Sequence, residues 1–322
     1  MKKSAIFLIL FFMVIRLPAE NKGFREELLP FKSDGYELPG TFLMPEVKAP
    51  FPLVIFVHGS GPHDRNEMIL GNTPFKDIAV GLAERGVASY RYDKRTLVYG
   101  GRFSKMQNPT VYDETINDAV AAAELFKNNP DISQIYILGH SLGGTLIPRI
   151  DPKCGSAAGY IILAGAARPL EDLILEQSEY ILENDNVTNP AIKQVKLAAV
   201  KNIVQNIRTL TPESKKYPGE LMGTPASYWL DLKGYEPAKE AKKITKPVLV
   251  LQGMRDYQVT LKDFEIWKKE LAGKLNVNFK LYPGLNHLFI HGAGKSLPAE
   301  YQKKGRVSDE VIDDIALFVK KN

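Results

Sequence analysis

The chain has 322 residues, with 42 Lys and Arg against 37 Asp and Glu, and a formal net charge of +5. Hydrophobic residues make up 44% and charged residues 25%, which excludes a disordered chain, a collagen-like repeat and a coiled coil. The single cysteine, Cys154, excludes an internal disulfide framework and a cysteine-built zinc site.

Lys2 and Lys3 open the chain, and Ala5 to Ile15 is an unbroken apolar run. A bilayer needs about 20 apolar residues, so this run is too short to span one comfortably. A basic start, a short apolar core and a small residue soon after predict a signal peptide over residues 1–19, cleaved after Ala19, with export to the periplasm or beyond. An uncleaved anchor is the alternative. Removing residues 1–19 takes away Lys2, Lys3 and Arg16 and no acid, so the net charge falls from +5 to +2. A chain that near neutral gives no case for a nucleic-acid or polyanion partner. No later segment is apolar enough for stable membrane insertion.

Phe24–Pro45, with Ser33-Asp34-Gly35 in its middle, predicts an antiparallel hairpin at a sheet edge. Strands are predicted at Leu53–Val57, Ala88–Tyr92, Ile135–Leu138, Tyr160–Leu163, Val248–Leu251 and Val277–Leu281. Several are apolar on both faces, as in a covered parallel sheet. Helical spacing falls between them, at Phe75, Ile78, Ala79 and Leu82 behind Thr73-Pro74, and at Ile116, Ala119, Val120 and Ala123. A last helix opens near Ser308 and carries Val311, Ile312, Ile315, Phe318 and Val319. This alternation implies an α/β fold with a mostly parallel central sheet flanked by helices. Residues 168–243 break it: they hold helical patterns, such as Val200, Ile203, Val204 and Ile207, and no convincing strand. They predict a helical insertion, either a plain excursion or a cap over a site, in a core made of 20–167 and 244–322.

Gly139-His140-Ser141-Leu142-Gly143 matches G-x-S-x-G between a predicted strand and a predicted helix, the context a nucleophilic serine needs. The turn is so tight that only minimal side chains fit beside the serine. A serine hydroxyl also needs a base, and the base an orienting acid. In this motif's chain order the acid follows the serine and the histidine follows the acid, which leaves His287 and His291 as bases. His287 is favoured, because it sits in a loop after Val277–Leu281, and open parallel sheets gather their sites at strand C-terminal ends. Asp256, after Val248–Leu251, is the favoured acid; Asp263 lies inside the next helix. Acyl transfer further needs N–H donors for the developing oxyanion. Leu142 and Ser60 are the first choices, with Gly61 as the alternative to Ser60 in His58-Gly59-Ser60-Gly61-Pro62. No phosphate-binding glycine pattern is present there. Asp64-Arg65 and Asp93-Lys94-Arg95 predict a salt-bridge network around the oxyanion loop, with substrate contact as the other option.

These residues resemble the α/β-hydrolase superfamily over nearly all of the chain beyond residue 19, through HGSGP at 58–62, GHSLGG at 139–144, GMRDYQV at 253–259 and PGLNH at 283–287. The longer blocks HGSGPHDRNE at 58–67, RYDKR at 91–95 and LAGAARPLEDL at 163–173 resemble bacterial esterases of the thermophilic esterase D type. That resemblance implies a carboxylic ester hydrolase with Ser141 as nucleophile, Asp256 as acid and His287 as base. It also implies a helical cap between the sixth and seventh core strands. Members of that group are often not secreted, so the signal peptide departs from their usual setting. The expectation is a secreted serine esterase of short-chain acyl esters that uses no metal or organic cofactor. A peptidase, an aminoacyl hydrolase, a thioesterase and an inactive binding protein on the same fold are its rivals, and the oligomeric state stays open.

Overall fold

The computed structural model describes residues 23–216 and 220–322; the predicted signal segment, 1–19, lies outside them. One eight-stranded sheet forms the centre. In chain order its strands are β1 (Phe24–Leu28), β2 (Gly40–Pro45), β3 (Phe51–Val57), β4 (Ala88–Tyr92), β5 (Ile132–His140), β6 (Ala157–Leu163), β7 (Val248–Gly253) and β8 (Val277–Tyr282). Across the sheet they stand in the order β1-β2-β4-β3-β5-β6-β7-β8. β3 to β8 pair in parallel, while β2 runs antiparallel to both β4 and β1. The predicted edge hairpin therefore splits in two. Phe24 faces Pro45 across β1 and β2, and the turn at Ser33-Asp34-Gly35 closes a separate small ribbon, Phe31–Ser33 against Tyr36–Leu38.

The main helices are α1 (Pro74–Glu84), α2 (Asn117–Phe126), α3 (Leu170–Asn184), α4 (Pro190–Thr209), α5 (Ala226–Leu232), α6 (Leu261–Glu270) and α7 (Asp309–Lys321). α1 and α7 cover one sheet face, where Phe75, Ile78, Ile312 and Ile315 pack on Val54, Phe56 and Leu138. α2 and α6 cover the other, where Ala119, Ala122 and Trp267 join Leu53, Ile55 and Ile137. Burying both faces is why the strands read as continuous apolar runs. Thr73 does precede α1, but its side chain makes no capping hydrogen bond; Pro74 at the first turn is what remains of that start signal.

Residues between β6 and β7 carry α3, α4, α5 and shorter turns, plus one two-residue pairing, Glu220–Leu221 with Thr224–Pro225, that the sequence did not announce. So short a pairing has no apolar alternation to read. α4 presents only Val204 and Ile207 as buried residues and packs along α3, so most of its surface faces solvent. Among the described residues, no helix is long and apolar enough to cross a membrane.

Candidate active site

Ser141 stands between β5 and a short helical turn, Leu142–Thr145, with φ 52° and ψ −117°. A non-glycine residue in that region is strained, and such strain persists only where surrounding structure enforces it. Here the enforcement is close packing. A Cβ on Gly143 would lie 2.3 Å from the Val57 carbonyl oxygen, and one on Gly139 would lie 2.3 Å from the Gly143 backbone. Ser141 N–H donates to the Leu163 carbonyl at 2.9 Å. The Thr145 hydroxyl donates to the Ser141 carbonyl at 3.1 Å and accepts from Ala166 N–H at 2.9 Å, fastening the turn to the loop after β6. The Ser141 hydroxyl makes no hydrogen bond among the described residues, so it is free to face a substrate.

Asp256 follows β7 and His287 follows β8, and both are buried. His287 Nδ1 lies 2.6 Å from Asp256 Oδ2. The carboxylate is held by more than this. Its Oδ1 accepts from Gln258 N–H at 2.7 Å and Val259 N–H at 3.0 Å, and its Oδ2 also accepts from Gln252 Nε2 at 3.1 Å. Asn286 shapes the base's loop, since its Oδ1 accepts from the N–H groups of Leu288 and Ile290. His291 is exposed and pairs with Leu285, closing this loop from outside. Asp263 is buried in α6 and takes Ala167 N–H and the Arg168 guanidinium. Neither alternative touches the pair.

The loop predicted to supply oxyanion donors, residues 58–67, follows β3, and β3 lies beside β5, so the loop borders Ser141. Among the described residues neither Ser60 N–H, Gly61 N–H nor Leu142 N–H finds a protein acceptor. Gly59 N–H does, donating to Glu67 Oε1 at 2.6 Å. The expected salt bridges exist in part. Arg65 grips Asp93 with Nε at 2.9 Å and its second nitrogen at 2.6 Å, and its backbone N–H donates to the same carboxylate. Arg95 pairs with buried Asp118 and so braces α2 rather than the loop. Among the described residues Asp64 pairs with no arginine; its carboxylate accepts from Met68 N–H and Asn66 Nδ2, and its carbonyl from His58 Nε2.

Two buried histidines behave oppositely. Burial holds the His58 pKa down at about 3, so it is neutral and donates to the Asp64 carbonyl. Burial also disfavours charge on His140, but Glu67 beside it outweighs this and raises its pKa. Burial likewise pushes Glu67 up, and the His140 cation overrides it, bringing the carboxyl to about 2. His140 Nδ1 and Glu67 Oε2 are 2.7 Å apart, and both side chains are buried. His140 Nε2 donates to the His287 carbonyl at 3.0 Å. One ion pair thus links the loop after β3 to the loop that carries His287. Chain order alone leaves His140 outside the predicted triad, and no motif marks Glu67; no spacing rule joins residues so distant in the chain.

A cavity of about 920 Å³ opens over these groups. Ser141, Leu142 and His287 line its floor, and Leu170, Ile174 and Trp229 of the insertion line its upper wall. Among the described residues no cluster of His, Cys, Asp and Glu could hold a metal ion.

The chain matches the Hydrolase_4 model, described as serine aminopeptidase S33, over residues 48–294. It is 42% identical over 290 residues to Esterase EstD of Thermotoga maritima, a match covering 88% of this chain and 66% of that protein, so the chain spans a little under two thirds of that relative's length. Est1E from Butyrivibrio proteoclasticus superposes with a TM-score of 0.59 at 19% identity, covering 92% of this chain and 99% of that one. The Pyrococcus furiosus esterase Pf2001 gives 0.58 at 13% identity, covering 94% and 92%. At those identities the two structures speak for the fold alone. The chain belongs to the Hydrolase_4 family, and its fold is that of the α/β-hydrolases.

Proposed function

We propose that the protein is an exported serine carboxylesterase that works through an acyl-enzyme. The observation that carries this reading is the buried Asp256–His287 pair, 2.6 Å apart, on the same cavity as the strained Ser141 turn. With Nδ1–H given to Asp256, the lone pair of His287 is left on Nε2. As Ser141 Oγ attacks the ester carbonyl, Nε2 takes its proton. The carbonyl oxygen becomes an oxyanion that accepts from the free N–H groups of Leu142 and Ser60. Collapse breaks the C–O bond, and Nε2–H protonates the leaving alkoxide. Water, deprotonated by the same Nε2, then attacks the acyl-enzyme and releases the acid. The esterase name of the Thermotoga relative, at 42% identity, supports an ester over an amide substrate. Short acyl chains, acetyl to hexanoyl, are the proposed substrates, and residues 1–19 the export signal.

The test is a panel of p-nitrophenyl esters and aminoacyl p-nitroanilides, run beside labelling with a fluorophosphonate. The wild type should hydrolyse the esters and take the label. Ser141→Ala should lose both while keeping its near-UV circular dichroism. A Ser141→Ala enzyme with turnover near the wild type's would overturn the mechanism, and anilide cleavage exceeding ester cleavage would make the protein a peptidase.

A further inference from the structure

Directly beneath the oxyanion loop lies a lysine that no step above uses. Lys94 is 1% exposed. Its Nζ donates to the Gly59 carbonyl at 2.9 Å and to Glu114 Oε1 at 2.5 Å. Glu114 is buried too, and its other oxygen accepts from the Tyr228 hydroxyl at 2.7 Å. Burial, with Glu114 beside it, raises the Tyr228 pKa well above its ordinary value, so the phenol stays a donor. Tyr228 belongs to α5, in the insertion. An unbroken chain of hydrogen bonds therefore runs from the insertion to the oxyanion loop. The Lys94 backbone N–H adds a tie, donating to the His63 carbonyl of the same loop at 3.0 Å.

We propose that Lys94 is a positioning residue for the oxyanion hole, with Glu114 and Tyr228 holding its ammonium in place. The Gly59 carbonyl and the Ser60 N–H belong to one planar trans peptide and point in opposite directions. Fixing the carbonyl on Lys94 fixes where the N–H points. The ammonium also withdraws electron density from that amide, and chains of hydrogen bonds polarise one another, which makes Ser60 N–H a better donor. Glu67 takes the Gly59 N–H, so the two peptides flanking Gly59 are held from opposite sides. A purely packing role explains this poorly. A buried Lys–Glu pair adds little to stability over apolar residues of the same volume, because desolvation offsets the attraction. The inference rests on the esterase reading and on Ser60 N–H as the oxyanion donor.

The variants are Lys94→Met, the double variant Lys94→Met/Glu114→Gln, and Tyr228→Phe. The double variant leaves no unpaired charge buried and guards against a fold lost for that reason alone. The readouts are kcat and KM on p-nitrophenyl butyrate and the inhibition constant of phenylboronic acid, which forms a tetrahedral adduct on the serine. Losing an oxyanion donor outright costs roughly 100-fold to 1,000-fold in kcat, and a misaimed one costs less. Lys94→Met and the double variant should lose about 10-fold to 100-fold in kcat with KM within twofold, and bind the boronate more weakly by a similar factor. Tyr228→Phe, which keeps the packing, should show the same pattern at a few-fold. Folded variants with kcat and boronate affinity within twofold of the wild type overturn the proposal, as does a rise in KM alone. A wild type that neither cleaves the ester nor binds the boronate would instead sink the esterase reading.

Discussion

Replacing Asp256 by Asn tests the acid–base arrangement most directly, because the surroundings dictate how the amide must sit. Two of the four donors around the carboxylate are backbone N–H groups of Gln258 and Val259, which cannot turn away. A third, Gln252 Nε2, is pinned by the Val259 carbonyl at 2.8 Å and the Gly253 carbonyl at 3.1 Å. In Asp256→Asn the amide oxygen would therefore settle on the two backbone donors, leaving the NH₂ against His287 Nδ1. That face of the ring must then accept, so the proton moves to Nε2 and the lone pair that would take the serine proton is lost. Turning the amide over restores the tautomer but leaves both backbone N–H groups unpaired, at about 1–3 kcal/mol each. The productive arrangement is then disfavoured by roughly 2–6 kcal/mol, and the imidazolium formed in the transition state has also lost its counter-charge.

The expected outcome is a fall in kcat of roughly a thousandfold to ten-thousandfold, with KM nearly unchanged and the fold intact. Steady-state hydrolysis of p-nitrophenyl butyrate measures it, with a thermal melt as the control. His291→Ala, altering an exposed side chain outside the cavity, should stay within about threefold of the wild type. An Asp256→Asn enzyme within tenfold of wild-type kcat would refute the tautomer argument. A crippled His291→Ala beside an active His287→Ala would move the base.

Two further outcomes follow from the same groups. Glu67→Gln should destabilise the fold in a pH-dependent way: a carboxyl lowered from 4.5 to about 2 contributes stability above pH 4.5 that is lost as pH falls through 2, roughly 3 kcal/mol in all. The raised His140 reports the same pair and is counted once; its share is complete below pH 6.5 and fades as pH rises through its folded pKa. Urea unfolding of wild type and Glu67→Gln should thus differ most between pH 4.5 and 6.5, and a gap constant down to pH 2 would contradict the ion pair. In the substrate series, kcat/KM should peak between acetyl and hexanoyl esters, fall beyond octanoyl and show no jump on emulsified long triglycerides; a rise continuing to dodecanoyl would recast the enzyme as a lipase.

What the sequence disclosed and what it withheld differ in physical kind. Strands buried on both faces leave apolar runs, and a tight strand–turn–helix leaves Gly139 and Gly143, so β5 and the Ser141 turn were legible before any coordinates. The pairing of Asp256 with His287 was foreseeable because each sits in a loop just after a strand, at the end of a parallel sheet where such loops converge. The supporting charges were not legible. Glu67 meets His140 because β3 lies beside β5, and Lys94, just after β4, meets Glu114 in the turn before α2. In the sequence each is an ordinary charged residue in a polar stretch. The expected partner of Arg65 was found in Asp93, whereas Asp64 went to backbone groups, a choice set by loop geometry that no pattern of alternating charge encodes.

The insertion is bonded into the site at both of its ends. At its start, the Arg168 guanidinium bridges Asp263 and Glu176, Gln177 donates to the Gln258 carbonyl at 2.8 Å, and Tyr180 donates to the Ser296 carbonyl at 3.0 Å. Gln258 is also the residue whose N–H orients Asp256. Toward its end, Ser227 donates to the Pro109 carbonyl at 2.8 Å, Tyr228 reaches Glu114, and Tyr235 donates to the Thr145 carbonyl at 2.7 Å. Thr145 in turn holds the Ser141 carbonyl. Lifting α3 and α5 away would break buried hydrogen bonds that would then have to find water, at about 1–3 kcal/mol for each group left unsatisfied. These helices are therefore a fixed wall and a brace for the loops beneath them. On the esterase reading, such a site would stabilise charge with groups already in place, rather than by assembling them when a lid closes. That is the physical ground for expecting an enzyme indifferent to a lipid–water interface: a surface can activate only a cover that is free to open, and α4 packs along α3, which the bonds above tie to the core.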